Sequence, residues 1–139
     1  MERFESLKSL RFLVTDDYES MRMIVQEELE LLGVNLITFA KSGNEALEIL
    51  EKRSIASDPI NFVITDMMMD NGSGLDLTTQ MRMSEKFKNT PILMISSMAE
   101  ATFILKCIQA GIDDYIVKPW ESEDLVKKIY QICQKRGLV

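Results

Sequence analysis

The chain has 139 residues, 16 Lys and Arg, 22 Asp and Glu, and no histidine. The length suits one domain, and the 46% hydrophobic content suits a packed core. The net charge of −6 argues against a nucleic-acid footprint, and the missing histidine excludes Ser-His-Asp and Cys-His nucleophile pairs, His zinc sites and the usual general base near neutral pH.

In chain order, Arg11 to Thr15 reads as a strand. Glu19 to Leu32 reads as a helix with Met21, Val25, Leu29 and Leu32 on one face, ended by Gly33. Asn35 to Ala40 is a second strand. Ser42, with Glu45 three residues on, has capping-box spacing and opens a helix to about Ser54 that turns Ala46, Leu47 and Leu50 inward. Asp58-Pro59 breaks the chain before a continuous apolar strand, Ile60 to Thr65, of the kind buried on both faces. Leu75 to about Lys86 is the third helix. Pro91 precedes a fourth strand, Ile92 to Ile95. Ala99 to Ala110 is helical, with Ile104, Cys107 and Ile108 together, and Gly111 stops it. Tyr115 to Val117 is the fifth strand. Glu121 to Lys135 is the last helix, with Leu125, Ile129 and Ile132 inward.

Five strands alternating with five helices predict an α/β fold: a doubly wound, flavodoxin-like (βα)5 domain around a parallel sheet. The domain is expected over 10–137, after a short arm at 1–9. Cys107 and Cys133, 26 apart, form neither a disulfide framework nor a metal knuckle and read as reduced, cytosolic thiols. No apolar run reaches the ~18 residues of a membrane span, and Met1 to Leu10 lacks a secretory h-region. A cytoplasmic location follows as an expectation.

Ligands of such sheets bind beyond the carboxyl ends of the strands. Those ends carry Asp16-Asp17, Asp66, Ser96-Ser97 and Lys118-Pro119. Singly, each has an ordinary reading: helix caps for Asp16-Asp17 and Ser96-Ser97, a loop carboxylate for Asp66, a solvated lysine for Lys118. Together they place three carboxylates, a hydroxyl and an ammonium at one sheet edge. Two like charges ~4 Å apart repel by about 4 kcal/mol at an effective dielectric near 20, so a cation must offset them. Oxygen-only ligands favour a hard ion, Mg²⁺ in particular. Open positions on that ion suit a phosphoryl group, with Lys118 and Ser96 as partners of its oxygens. No glycine-rich phosphate loop is present, so the simplest carrier is a phosphorylated side chain formed on a carboxylate nucleophile.

Over roughly Leu10 to Arg136 the chain resembles the receiver domain of two-component response regulators, in its single-domain, CheY-like form. Asp16-Asp17, Asp66 with Gly74 eight residues on, Ser96-Ser97 and Tyr115-x-x-Lys118-Pro119 occur in family order. The resemblance implies Asp66 as phosphoacceptor from a phosphohistidine. It implies Mg²⁺ held by Asp17, Asp66 and the Met68 backbone carbonyl, with Asp16 acting through water. Lys118 would pair with the phosphoryl oxygens, across a Lys118-Pro119 bond that is usually cis. Ser96 would swing toward the phosphate and Tyr115 would follow it inward, or else Tyr115 is a packed strand residue. That movement would remodel the face of the fourth helix, fifth strand and fifth helix, where a downstream target protein reads it.

Three departures stand out. Asp70 replaces a proline common in relatives, and Asn71-Gly72 can supply the turn instead. Met68 and Met98 take positions that flank the route of the hydrolytic water, where methionine orients water poorly; slow self-dephosphorylation follows, unless both only fill gaps. Ser96 replaces the commoner threonine and keeps the hydroxyl. Met67-Met68-Met69 could make an adaptable docking patch, whereas Met21, Met81 and Met94 read as core. Trp120 is either a partner contact or a cap on the fifth helix.

The expected function is a stand-alone receiver that is not an enzyme, fed by a histidine kinase or histidine phosphotransfer protein and signalling by protein contact, in chemotaxis or another pathway. A phosphorelay intermediate is the alternative. A phosphatase with an aspartyl nucleophile fits less well, because Met68 stands where a second Asp is usual. A receiver that works without phosphorylation is disfavoured by its filled site. The chain is expected to be a monomer, with dimerisation on phosphorylation left open. Lacking histidine, it must take its phosphoryl group from another molecule.

Overall fold

The computed structural model describes residues 7–139. Most of the expected arm therefore lies outside the described residues. Leu7, its first described residue, is buried in the core, and its carbonyl accepts from the Leu10 amide at 3.1 Å.

The elements run β1 (Arg11–Thr15), α1 (Glu19–Leu31), β2 (Leu36–Ala40), α2 (Gly43–Ile55), β3 (Phe62–Asp66), α3 (Gly74–Met83), β4 (Ile92–Ser96), α4 (Ala101–Ala110), β5 (Asp114–Val117) and α5 (Ser122–Lys135). All strand pairs are parallel and the order is β2-β1-β3-β4-β5. The chain steps outward from β1 to β2 and then to β3 on the far side of β1, so the switch point lies between β1 and β3.

The period-two alternation of side chains divides the core. Phe12, Val14, Phe62, Ile64, Leu93, Ile95 and Ile116 face α1 and α5, meeting Val25, Leu29, Leu125, Ile129 and Ile132. Phe12 and Phe62 stack with centroids 4.9 Å apart. Leu13, Val63, Ile92, Met94 and Tyr115 face α2, α3 and α4, meeting Ala46, Leu50, Leu77, Met81 and Cys107. Both cysteines are buried and free, and burial pushes the Cys133 thiol up to about 12. No described helix is long and apolar enough to cross a membrane.

Four details depart from the sequence expectations. β3 starts at Phe62 and not at Ile60. Asn61 keeps one backbone bond to β1, its main-chain N–H donating to the Arg11 carbonyl at 2.8 Å, and its side-chain Oδ1 takes the other, accepting from the Arg11 amide at 2.7 Å. α3 ends at Met83, short of Lys86, because Ser84 turns extended and its carbonyl collects the Phe87 and Lys88 amides. Ile108, grouped with Ile104 and Cys107 in the sequence, parts from the buried Cys107: it is 50% exposed, and Leu105 three residues before it is 53% exposed. Trp120 is no helix cap: Glu121 takes that position, and the Trp120 indole donates to Glu28 Oε1 on α1 at 3.1 Å.

At the amino-terminal edge of the sheet, two arginines share Asp113. Arg82 Nη2 reaches Asp113 Oδ1 at 3.0 Å, and Arg136 grips both carboxylate oxygens at 2.7 and 3.0 Å. Arg82 also donates to the carbonyls of Gly111 at 2.9 Å and Thr90 at 2.7 Å. Burial lowers the Arg82 pKa, against the opposing pull of Asp113. This cluster ties the end of α3 to the start of β4, the approach to β5 and the end of α5.

Candidate functional site

β1 and β3 deliver Asp16, Asp17 and Asp66 to the two sides of the switch point. One carboxylate oxygen from each lies within 4.8 Å of the others. Asp16 and Asp66 are buried, and Asp17 is the most open of the three. Asp16 Oδ1 accepts from the Tyr18 amide at 3.0 Å, and its carbonyl accepts from Arg22 Nη1 at 2.7 Å. Asp66 Oδ1 accepts from the Met67 amide at 2.8 Å. The Asp17 Oδ1 atom is buried with no hydrogen-bond partner. A buried, unpartnered carboxylate oxygen is unfavourable by itself and needs a partner of another kind.

Lys118 closes the third side. Its ammonium lies 3.3 Å from Asp16 Oδ2 and 3.3 Å from Asp66 Oδ2. The Lys118-Pro119 peptide is cis, as the family pattern implies. The Lys118 amide also donates to the Ser96 carbonyl at 2.9 Å, which holds the two strand ends together. One ammonium does not balance three carboxylates. Burial, then the neighbouring Asp16 charge, raise the Asp66 pKa, while Lys118 and the Met67 amide hold it down.

Ser96 is fully buried, and its Oγ accepts from the Met98 amide at 3.2 Å. Tyr115 is buried with its hydroxyl turned onto the Met98 carbonyl, donating at 2.7 Å. Burial raises the Tyr115 pKa. Neither Asp16-Asp17 nor Ser96-Ser97 caps a helix: the cap positions of α1 and α4 are Tyr18 and Glu100. Met68 is 59% exposed beside Asp66, and Met98 is half-buried. Met67, Met81 and Met94 are buried in the core, while Met21 is half-buried beside Lys118 and Trp120.

The loop after β3 is built without proline. Asn71 and Gly72 adopt φ of +59° and +105°, the turn chemistry their sequence offers. The Gly74 amide donates to the Met67 carbonyl at 2.9 Å and closes the loop, and Ser73 caps α3 by accepting from the Asp76 amide at 3.0 Å. The Ser73 cap and the contact of this loop with α2 escape the sequence reading. An S-x-x-D pattern marks the first, but nothing local marks the second.

A doubly wound sheet with carboxylates and a lysine gathered at its switch point defines the receiver class of signalling domains. A family model for the response regulator receiver domain matches residues 12–130. The chain belongs to that family. It is 36% identical over 128 residues to the chemotaxis protein CheY-3 of Vibrio cholerae, covering 92% of this chain and 95% of the relative. It is 32% identical over 126 residues to the chemotaxis protein CheY of Pseudomonas aeruginosa, covering 91% and 98%. The structure of the chemotaxis response regulator CheY4 of Vibrio cholerae matches with a TM-score of 0.75 at 27% identity, over 88% of this chain and 98% of that one. The protein is a CheY-like response regulator receiver.

Proposed function

We propose that the protein takes a phosphoryl group onto Asp66 from a phosphohistidine of a partner protein and passes the signal on by a change of surface. The observation that carries this reading is the orphaned Asp17 oxygen beside Asp16 and Asp66, the two carboxylates that Lys118 bridges. A carboxylate oxygen of Asp66 attacks phosphorus, the bond from phosphorus to the imidazole nitrogen breaks, and an acyl phosphate forms. Asp17, Asp66 and the Met68 carbonyl would hold Mg²⁺, with Asp16 acting through water; the oxygen-only donors and the unpartnered Asp17 atom fit a hard dication. Bound there, the ion supplies charge neutralisation for the phosphoryl oxygens. Lys118 exchanges its carboxylate contacts for phosphoryl oxygens. The Ser96 hydroxyl supplies a further donor.

The output surface is the face of α4, β5 and α5. Leu105, Ile108 and Val117 are exposed there, and Glu121, Asp124 and Lys128 lie around Val117. Exposed apolar side chains on this face suit a partner segment with apolar groups. The closing contact between Tyr115 and Met98 joins β5 to the loop before α4, so the state of the pocket reaches that face. On this reading the protein is no enzyme, works in the cytoplasm and serves a chemotaxis-type pathway. Phosphoryl uptake from a small phosphodonor with Mg²⁺, abolished by Asp66→Asn, tests the reading. Transfer onward from Asp66 to a histidine phosphotransfer protein would instead identify a relay intermediate.

The crowded pocket lowers stability when no cation is present. Because the folded Asp66 pKa is raised, the folded state binds the proton more tightly than the unfolded chain. The resulting stability exists at low pH and is lost as pH rises through the unfolded and then the folded pKa. At neutral pH, Asp66→Asn is therefore expected to raise the melting temperature in metal-free buffer, by about 2–6 °C. Mg²⁺ should stabilise the native chain more than the variant. Thermal denaturation with and without Mg²⁺ reads both.

Met68 and Met98 offer no strong hydrogen bond to an attacking water. Replacing both by polar residues is expected to speed loss of the phosphoryl group about threefold to tenfold, the worth of one oriented hydrogen bond. Loss of the phosphorylated species with time, followed by mass, measures it. An unchanged rate would show that both side chains only fill space.

A further inference from the structure

We propose that the first turn of α2 positions the loop that presents the Met68 carbonyl, and that Gly43 is the positioning residue. The inference deepens the Mg²⁺ site proposed above and rests on that reading. α2 opens with amides that have no partner inside the helix. Two of them are spent on the loop after β3: Gly43 donates to the Gly72 carbonyl at 2.9 Å, and Asn44 donates to the Asn71 carbonyl at 3.2 Å. The third is capped locally, since the Glu45 amide donates to Ser42 Oγ at 3.1 Å. The Glu45 carboxylate accepts in turn from the Lys41 amide at 2.7 Å, which fixes the approach to the helix.

Contact between the two segments is close enough to exclude side chains. A Cβ on Gly43 would lie 2.7 Å from the Gly72 carbonyl oxygen and 3.1 Å from that of Ser73. A Cβ on Gly72 would lie 2.9 Å from Asn44 Oδ1. The loop is therefore pinned twice: Gly74 to Met67 at its base, and Asn71-Gly72 to α2 at its crest. Met68 to Asp70 hang between the pins. Metal affinity depends on where a carbonyl ligand is held, and groups that orient ligands commonly change it by 10–100-fold.

The experiment compares Gly43→Ala with Ser42→Ala in the full chain. Ser42→Ala weakens α2 by losing its cap but leaves the two amide bonds to the loop. Mg²⁺ affinity is measured by calorimetric titration, and folding by thermal denaturation. We expect Gly43→Ala to weaken Mg²⁺ binding about tenfold or more, and Ser42→Ala to lower the melting temperature while binding Mg²⁺ within twofold of the native chain. Hydrogen exchange on the native chain supplies a readout that needs no variant. If the contact favours Mg²⁺, then Mg²⁺ must favour the contact, so exchange at the Gly43 and Asn44 amides slows on adding the ion. Equal Mg²⁺ affinity in Gly43→Ala and the native chain overturns the inference alone, as does exchange unchanged by Mg²⁺ in a chain that binds it. A native chain that binds no Mg²⁺ overturns the metal site itself, and the positioning role with it.

Discussion

Asp113→Ala is expected to destabilise the protein by about 3–5 kcal/mol, the range for removing one partner of a buried ion pair. The side chain of Asp113 is 10% exposed and that of Arg82 16%. Removing the carboxylate leaves two guanidinium groups facing each other with their shared counter-charge gone. Asp113 Oδ1 also accepts from the Ile92 amide at 3.2 Å, so the start of β4 loses a partner as well. The exposed Glu51–Lys86 pair is a fitting contrast at 49% and 53% exposure. Glu51→Ala should cost about 0–1 kcal/mol, because solvent screens such a pair. Urea denaturation of both variants checks the difference. Equal effects would show that burial is not what gives the Asp113 cluster its weight.

Gly74→Ala is expected to disturb the pocket and the fold together. A Cβ at Gly74 would overlap the Asp66 carbonyl oxygen and stand 3.1 Å from the Met67 Cα. Those are backbone atoms, so the neighbour cannot rotate away. Either α3 moves off or the peptide after the proposed phosphoacceptor tilts, and both break the bond from Gly74 to the Met67 carbonyl. Overpacking of this kind typically costs about 1–3 kcal/mol. The greater effect falls on phosphoryl uptake, expected to drop more than tenfold, since small misplacements near reacting atoms are costly. Gly137→Ala is the control: its φ is +72°, yet nothing lies within 4 Å of the new Cβ. It should lose about 1–2 kcal/mol from the left-handed backbone and leave uptake intact. Uptake retained in Gly74→Ala would show that the loop tolerates the shift.

Much of this architecture is legible in the sequence because burial has a period. Val25 and Leu29, or Leu125, Ile129 and Ile132, announce their faces, and all are buried. Ile108 misleads because α4 is apolar nearly all round, and periodicity cannot choose the inner side of such a helix. The strand-end residues could be assembled before any coordinates, since a parallel doubly wound sheet collects its strand ends at one edge. What escaped depends on contacts between distant segments. Arg82 looks like any surface arginine at a helix end, yet it reaches Asp113 across 31 positions. Trp120 finds Glu28 across 92. Gly72 reads as a turn residue and Gly43 as one position of the helix after Ser42, and only their mutual approach gives them a further role.

Acceptance of a phosphoryl group by Asp66 with Mg²⁺ leaves a direct mark on the chain's mass. The most direct measurement is the intact mass of the chain after incubation with Mg²⁺ and a small phosphodonor. A single gain of about 80 Da, one phosphoryl unit, is expected in the native chain, absent without Mg²⁺ and absent in Asp66→Ala. No gain in the native chain, or a gain that persists in Asp66→Ala, would contradict the account.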